Sequence, residues 1–285
     1  MKHEKTLTWA STTSEDGTTI AYATVGAGPG LILLGGVLSD ADTYRDLAEV
    51  LADTFTVHIV NRRDRPGSGP MRAGHRIEDE CADLAAVAAA TGAGAVFGHS
   101  FGGLVALEAA RRTNTFTNVC VYEPGVPLRG EFPFSWLSGY AERLARGDRR
   151  GAFAWMVKHN GFAPKPLAVM PSWYVKGILR LVIRGRRWDQ MDALLAANLI
   201  EHRIEQGLDA AQADRFATIT ARTVLLAGDQ SPPFIGSRLI EELAAVVPNG
   251  AACLLPGADH LAPQHKPHRI AAAVRSSIEP ATIRS

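Results

Sequence analysis

Four residues of compact apolar character, Ala95-Val96-Phe97-Gly98, run straight into His99-Ser100-Phe101-Gly102-Gly103 and then into a helical pattern that lasts to Arg112. The apolar run is too short for a helix and suits a strand buried on both faces. A strand that turns at once into a helix is half of a parallel crossover unit, so the chain must build a layered α/β fold. The turn carries one hydroxyl, on Ser100, between glycines two residues before and two after. Such spacing suits a strained serine backbone whose neighbours leave no room for side chains. Backbone N–H groups and the helix dipole at the start of the helix favour negative charge developing beside that hydroxyl.

The same beat recurs along the chain. Thr6–Ser14 and Thr18–Val25 read as a hairpin around the turn residues Glu15-Asp16-Gly17. Further short apolar runs at Leu31–Leu34, Phe55–Val60, Asn118–Tyr122, Thr223–Ala227 and Ala252–Leu255 predict strands buried on both faces. Helical patterns fall at Tyr44–Ala52, Arg76–Ala90, Phe101–Arg112, Ile235–Val247 and His268–Ile278. The alternation predicts a doubly wound, mostly parallel sheet.

Between Pro127 and Phe216 the beat stops. Helical patterns at Trp136–Arg146, Ala152–Lys158, Val175–Ile183 and Asp189–Glu205 follow one another with no strand. This third of the chain holds four of the five Trp and eleven of the twenty aromatic residues. It carries 14 Lys and Arg against 9 Asp and Glu, net +5 in a chain of net +1. The expected organisation is a core of residues 1–126 and 217–285 with a helical insertion at 127–216. Trp136, Trp155 and Trp173 are candidate substrate-binding residues there, and each also suits the insertion's own core. The basic run Arg184-Gly185-Arg186-Arg187 reads as a solvated face.

A serine hydroxyl needs a base to take its proton. Of nine histidines, His260 is the one just beyond the last expected strand and before the last helix, in Leu255-Pro256-Gly257-Ala258-Asp259-His260. His265 and His268 lie close by, but that spacing matches no zinc motif and no acidic cluster supports it. No metal and no cofactor are expected.

These motifs together resemble the α/β-hydrolases over the whole chain. The resemblance is carried by Gly35-Gly36-Val37, by Asn61-Arg62-Arg63-Asp64-Arg65-Pro66-Gly67-Ser68-Gly69 and by the Gly98–Gly102 elbow. Tyr122-Glu123-Pro124, Ser231-Pro232-Pro233-Phe234 and Gly257-Ala258-Asp259-His260 complete it, and within the superfamily it points to capped bacterial serine hydrolases of esterase or lactonase type. It implies a cap inserted after the sixth strand and hydrolysis by a Ser100–His260–acid triad without a cofactor. The common family position for the acid, Gly-x-x-Asp after strand seven, reads here Gly228-Asp229-Gln230-Ser231. The acid is therefore expected to be Glu123, at the end of strand six as in some relatives, with Asp229 the alternative. His99 is expected to pack beside the elbow. The resemblance implies an oxyanion hole from the backbone N–H groups of Phe101 and of Val37, the residue after the glycine pair.

Balanced charge, Lys+Arg 30 against Asp+Glu 29, predicts no attraction to nucleic acid or to a membrane. Met1-Lys2-His3-Glu4-Lys5 lacks a following apolar stretch, which predicts no signal peptide. The three cysteines, Cys81, Cys120 and Cys253, suggest no disulfide framework. The expected protein is cytoplasmic and acts on a hydrophobic or aromatic small molecule, as an ester or lactone hydrolase. Alternatives are a carbon–carbon bond hydrolase or cofactor-free perhydrolase on the same triad, and a non-catalytic small-molecule receptor. The sequence leaves the oligomeric state open, a homodimer included.

Overall fold

A computed structural model describes residues 5–163, 165–208 and 212–278. It divides into two compact units: Met1–Val126 together with Gln212–Ser285, and Pro127–Ala211. The first unit takes up the chain again before residue 217. The helical turn Ala213–Phe216 belongs to it, with Arg215 paired to the buried Glu108 at 2.6 Å.

The first unit is built on one eight-stranded sheet: β1 (Thr8–Thr13), β2 (Thr19–Val25), β3 (Gly30–Leu34), β4 (Thr56–Asn61), β5 (Ala95–His99), β6 (Asn118–Tyr122), β7 (Arg222–Gly228) and β8 (Gly250–Leu255). The order is β1-β2-β4-β3-β5-β6-β7-β8. β2 pairs antiparallel with β1 and β4, and every other pair is parallel. Helices α1 (Arg45–Leu51), α2 (Ile77–Thr91) and α3 (Phe101–Arg112) join the central strands. Burial of Leu31, Ile32, Leu33, Val96, Phe97, Val121 and Leu225 from both sides explains why these strands read as unbroken apolar runs. Leu34 pairs with Gly98 and His99 with Tyr122, so β3, β5 and β6 end level with one another. From β3 the chain crosses first to β4 on one side and later to β5 on the other. The loops after β3 and β5 therefore part at a topological switch point, where α/β sheets place their sites.

One expectation fails at the sheet's edge. Ala252–Leu255 was expected to be buried on both faces, but Ala251–Leu254 are exposed. An apolar run identifies a strand without saying whether it is central, and β8 has a strand neighbour on one side only.

In the second unit lie α4 (Leu137–Ala145), α5 (Arg149–His159), α6 (Lys165–Val169), α7 (Ser172–Val182), α8 (Arg186–Ala193) and α9 (Leu195–Gly207). The pattern expected as one helix over Asp189–Glu205 is thus broken at Leu194. The chain ends through α10 (Ser237–Val246), α11 (Ala262–His265) and α12 (Pro267–Ser277). Pro267 starts α12 as its first residue, where a missing N–H costs nothing. Among the described residues no helix is long and apolar enough to cross a membrane.

Candidate active site

Ser100 sits between β5 and α3 with φ of 55°, a left-handed conformation that a non-glycine residue adopts only under constraint. The constraint is the flat packing of the turn. A Cβ on Gly98 would stand 2.5 Å from the Gly102 carbonyl oxygen, and one on Gly102 2.5 Å from that of Leu34. The Ser100 N–H donates to the Tyr122 carbonyl at 3.1 Å, and its carbonyl accepts from Gly103, Leu104 and Gly125. The backbone is held from three sides and the hydroxyl is left at the strand's carboxyl end.

Two residues far away in sequence meet it there. His260 Nε2 lies 3.2 Å from Ser100 Oγ, across 160 residues of chain. His260 Nδ1 lies 2.8 Å from Glu123 Oε2. The other Glu123 oxygen accepts the Gly228 N–H at 2.8 Å, and the side chain is fully buried. Glu123 is the second constrained residue of the site, with φ of 43° just past β6, its N–H donating to the Leu226 carbonyl at 2.8 Å. With Nδ1–H donating to the carboxylate, Nε2 is left as an acceptor facing the hydroxyl.

Asp229, the alternative acid, is engaged elsewhere: its Oδ1 accepts the Gly257 N–H at 2.6 Å and so shapes the turn leading to His260. His265 Nε2 lies 2.9 Å from Asp259 Oδ1, and among the described residues no group of three or more His, Cys, Asp or Glu could hold a metal ion.

His99, expected only to pack, is fully used in hydrogen bonding. The Tyr44 hydroxyl donates to its Nδ1 at 2.7 Å, and its Nε2–H donates to the His260 carbonyl at 2.8 Å. Burial, and next the neighbouring His260, hold its pKa well below the usual histidine value. The neutral ring is the state these two bonds need, since Nδ1 must accept. A second bond, from the Tyr122 hydroxyl to the Asp259 carbonyl at 2.7 Å, ties the same loop to β6.

Tyr44 also accepts the Gly36 N–H at 2.9 Å, which links the loop after β3 to His99. The Gly36 carbonyl accepts from Arg62 at 2.9 Å and from Ser39 Oγ at 2.7 Å. In a trans peptide the carbonyl and the following N–H point in opposite directions. Holding the Gly36 carbonyl therefore sets the direction of the Val37 N–H. Phe101, the other expected donor, opens α3, with its ring 4.8 Å from the Arg62 guanidinium. Tyr44, Ser39 and the role of Arg62 had no signal in the sequence beyond the place of Arg62 in the Asn61–Gly69 motif.

Arg62 is itself buried, 3.2 Å from the buried Glu80, which also meets His75 Nε2 at 3.1 Å. Burial pushes the Glu80 pKa up, but Arg62 and the His75 hydrogen bond outweigh it and bring it down to about 2. A carboxyl lowered on folding adds stability above its unfolded value near 4.5, lost as pH falls through about 2. Replacing Arg62 by Met leaves Glu80 without its cation, so we expect a loss of about 3–5 kcal/mol in urea unfolding at neutral pH. Acid unfolding of that variant should begin at higher pH than in the wild type. Equal acid midpoints would show that Arg62 does not hold the Glu80 charge.

In the helical unit, the Trp136 ring is buried edge-on against Tyr140 and His202. Trp155 donates to the Trp136 carbonyl at 3.0 Å and lies between His159 and the Arg143 guanidinium. Trp173 is 74% exposed.

A family model described as "Alpha/beta hydrolase family" matches residues 31–273. Among solved structures the chain is similar to an alpha/beta hydrolase from Sphaerobacter thermophilus, with 30% identity and a TM-score of 0.77 over 93% of this chain and 98% of that one. It is also similar to epoxide hydrolase A from Mycobacterium thermoresistibile, at 21% identity and TM-score 0.71 over 96% and 98% of the two chains. A third is the N-formylmaleamic acid deformylase of Pseudomonas putida, at 21% identity and TM-score 0.69 over 94% and 100%. No protein of curated function matches the chain. With the sheet order, the elbow and a family model spanning most of the sequence in agreement, the chain belongs to the alpha/beta hydrolase family.

Proposed function

We propose that this hydrolase cleaves an ester or lactone of a hydrophobic or aromatic small molecule through an acyl-serine intermediate. The observation that carries the reading is the unbroken hydrogen-bonded line from Ser100 Oγ through the His260 ring to the Glu123 carboxylate. In it, His260 Nε2 takes the Ser100 proton as Oγ bonds to the substrate carbonyl carbon. The resulting oxyanion is met by the Val37 and Phe101 N–H groups, and the imidazolium returns the proton to the departing alkoxide. Water then repeats the sequence on the acyl-enzyme and frees the acid. Glu123 stays ionised throughout and stabilises the imidazolium. A 3.2 Å Oγ–Nε2 separation suits a resting enzyme in which that bond tightens on substrate binding.

A hydrophobic substrate is supported by the aromatic content of the inserted segment. The epoxide hydrolase neighbour shares the fold, but opening an epoxide by covalent catalysis calls for a carboxylate nucleophile, and position 100 is serine. The test is a panel of short, long and aromatic acyl esters and lactones, run with the wild type and with a fluorophosphonate label. Turnover with label on Ser100 supports the reading. Ligand binding without turnover or labelling would make the protein a receptor on a hydrolase fold.

His260→Ala is expected to lose nearly as much activity as removal of the serine hydroxyl, and the double variant to be little worse than either. Residues acting on one proton transfer are strongly non-additive. Losses that multiply would separate His260 from Ser100 chemistry.

A further inference from the structure

Eight large apolar side chains are exposed among the described residues, and five of them fall between 169 and 182. They are Val169 at 82%, Trp173 at 74%, Tyr174 at 47%, Leu181 at 69% and Val182 at 65%. Helix α7, which spans most of this stretch, packs on α5 and turns Val175 fully inward. Trp173, Gly177 and Leu181 recur at helical spacing of four on an arc away from Val175, with Tyr174 beside them. A Cβ on Gly177 would meet nothing within 4 Å, as an outward face requires. An exposed apolar stripe of this kind, interrupted by Gly177, on a water-facing helix marks a docking surface.

Charge chooses the occupant. From Gly161 to Trp188 the sequence has six Lys and Arg and no Asp or Glu. Arg180 flanks the stripe, and Arg184 and Arg187 follow its end, all three exposed. Whole-molecule balance predicts no attraction to an acidic membrane, but charges act over only about 8 Å at physiological salt, so the local excess governs this face. Trp and Tyr beside aliphatic side chains, edged by arginine, form the set of residues that settles at a bilayer interface. At 11 residues α7 is about 16 Å long, too short to span the roughly 30 Å hydrocarbon core. We propose that the outward face of α7 docks in the plane of an anionic phospholipid bilayer, with Trp173, Tyr174 and Leu181 among the acyl chains and the arginines at the headgroup phosphates.

The test is cosedimentation of the full chain with extruded vesicles of phosphatidylglycerol and phosphatidylcholine in equal parts. Binding is expected to be at least about tenfold weaker to pure phosphatidylcholine, and weaker again in high salt. Leu181→Asp should weaken it by about tenfold or more, and the triple change Arg180→Glu, Arg184→Glu, Arg187→Glu should remove the preference for anionic lipid. Both should keep the wild-type melting temperature, since these side chains support no buried contact. Ser100→Ala should bind as the wild type does, which keeps this result separate from the hydrolase reading. No binding by the wild type, or binding unchanged by Leu181→Asp, would overturn the proposal. So would a concentration-dependent dimer that Leu181→Asp dissolves in sedimentation velocity, because a second copy would then cover the stripe.

Discussion

Ser100→Ala is expected to lower kcat by on the order of 10⁶ while leaving the fold intact. The size follows from the role: without the hydroxyl no acyl-enzyme forms, and only ground-state binding and the oxyanion donors remain. The fold survives because alanine keeps the Cβ that already occupies the constrained conformation at φ 55°. The backbone bonds to Tyr122, Gly103, Leu104 and Gly125 do not involve the side chain. Urea unfolding should therefore differ by no more than about 0.5 kcal/mol. Mass spectrometry of the fluorophosphonate-treated wild type should place the adduct on Ser100. Turnover retained in the alanine variant, or an adduct on another residue, would remove Ser100 from the mechanism.

The second large effect is expected at Glu123. Glutamine has the same shape and can still accept the Gly228 N–H, so the packing at the end of β6 should hold. What changes is the group facing His260 Nδ1. An amide offering N–H there forces the opposite tautomer, with Nε2 protonated and unable to take the serine proton. The expected cost is on the order of 10⁴ in kcat, with KM little changed. Asp229→Asn should leave kcat near wild type, because asparagine can still accept the Gly257 N–H that Asp229 accepts now. Reversal of the two effects would move the acid to the loop after β7 and leave the Ser100–His260 half of the mechanism standing.

How far each part could be read in advance follows the range of the physics behind it. The β5–elbow–α3 unit was legible because strand, strained turn and helix are all local: Gly98 is kept small by a residue four positions on, although Gly102 is kept small by Leu34 from the neighbouring strand. The alternation of short apolar runs with helical patterns carried the layered fold for the same reason. Helix ends and strand exposure were read less well. The break at Leu194 was not visible in the helical pattern over Asp189–Glu205, and the exposure of β8 depends on its place at the sheet edge.

The sequence by itself determined the α/β class, the position of Ser100 on its turn, and one histidine in the right loop. It favoured Glu123 as the acid but kept Asp229 as the alternative, since both follow strands that end on the same side of the sheet. Tertiary structure decided which carboxylate stands against His260, through a contact across 137 residues that no local pattern encodes. It alone brought Tyr44, His99, Arg62 and Ser39 together around Gly36 and the His260 carbonyl. It also turned Trp173 outward and Trp136 inward, although both sit in similar aromatic helical patterns. Periodicity reports that a helix has an apolar face. Which face meets another element, and which meets solvent, is set by the packing of the rest of the chain.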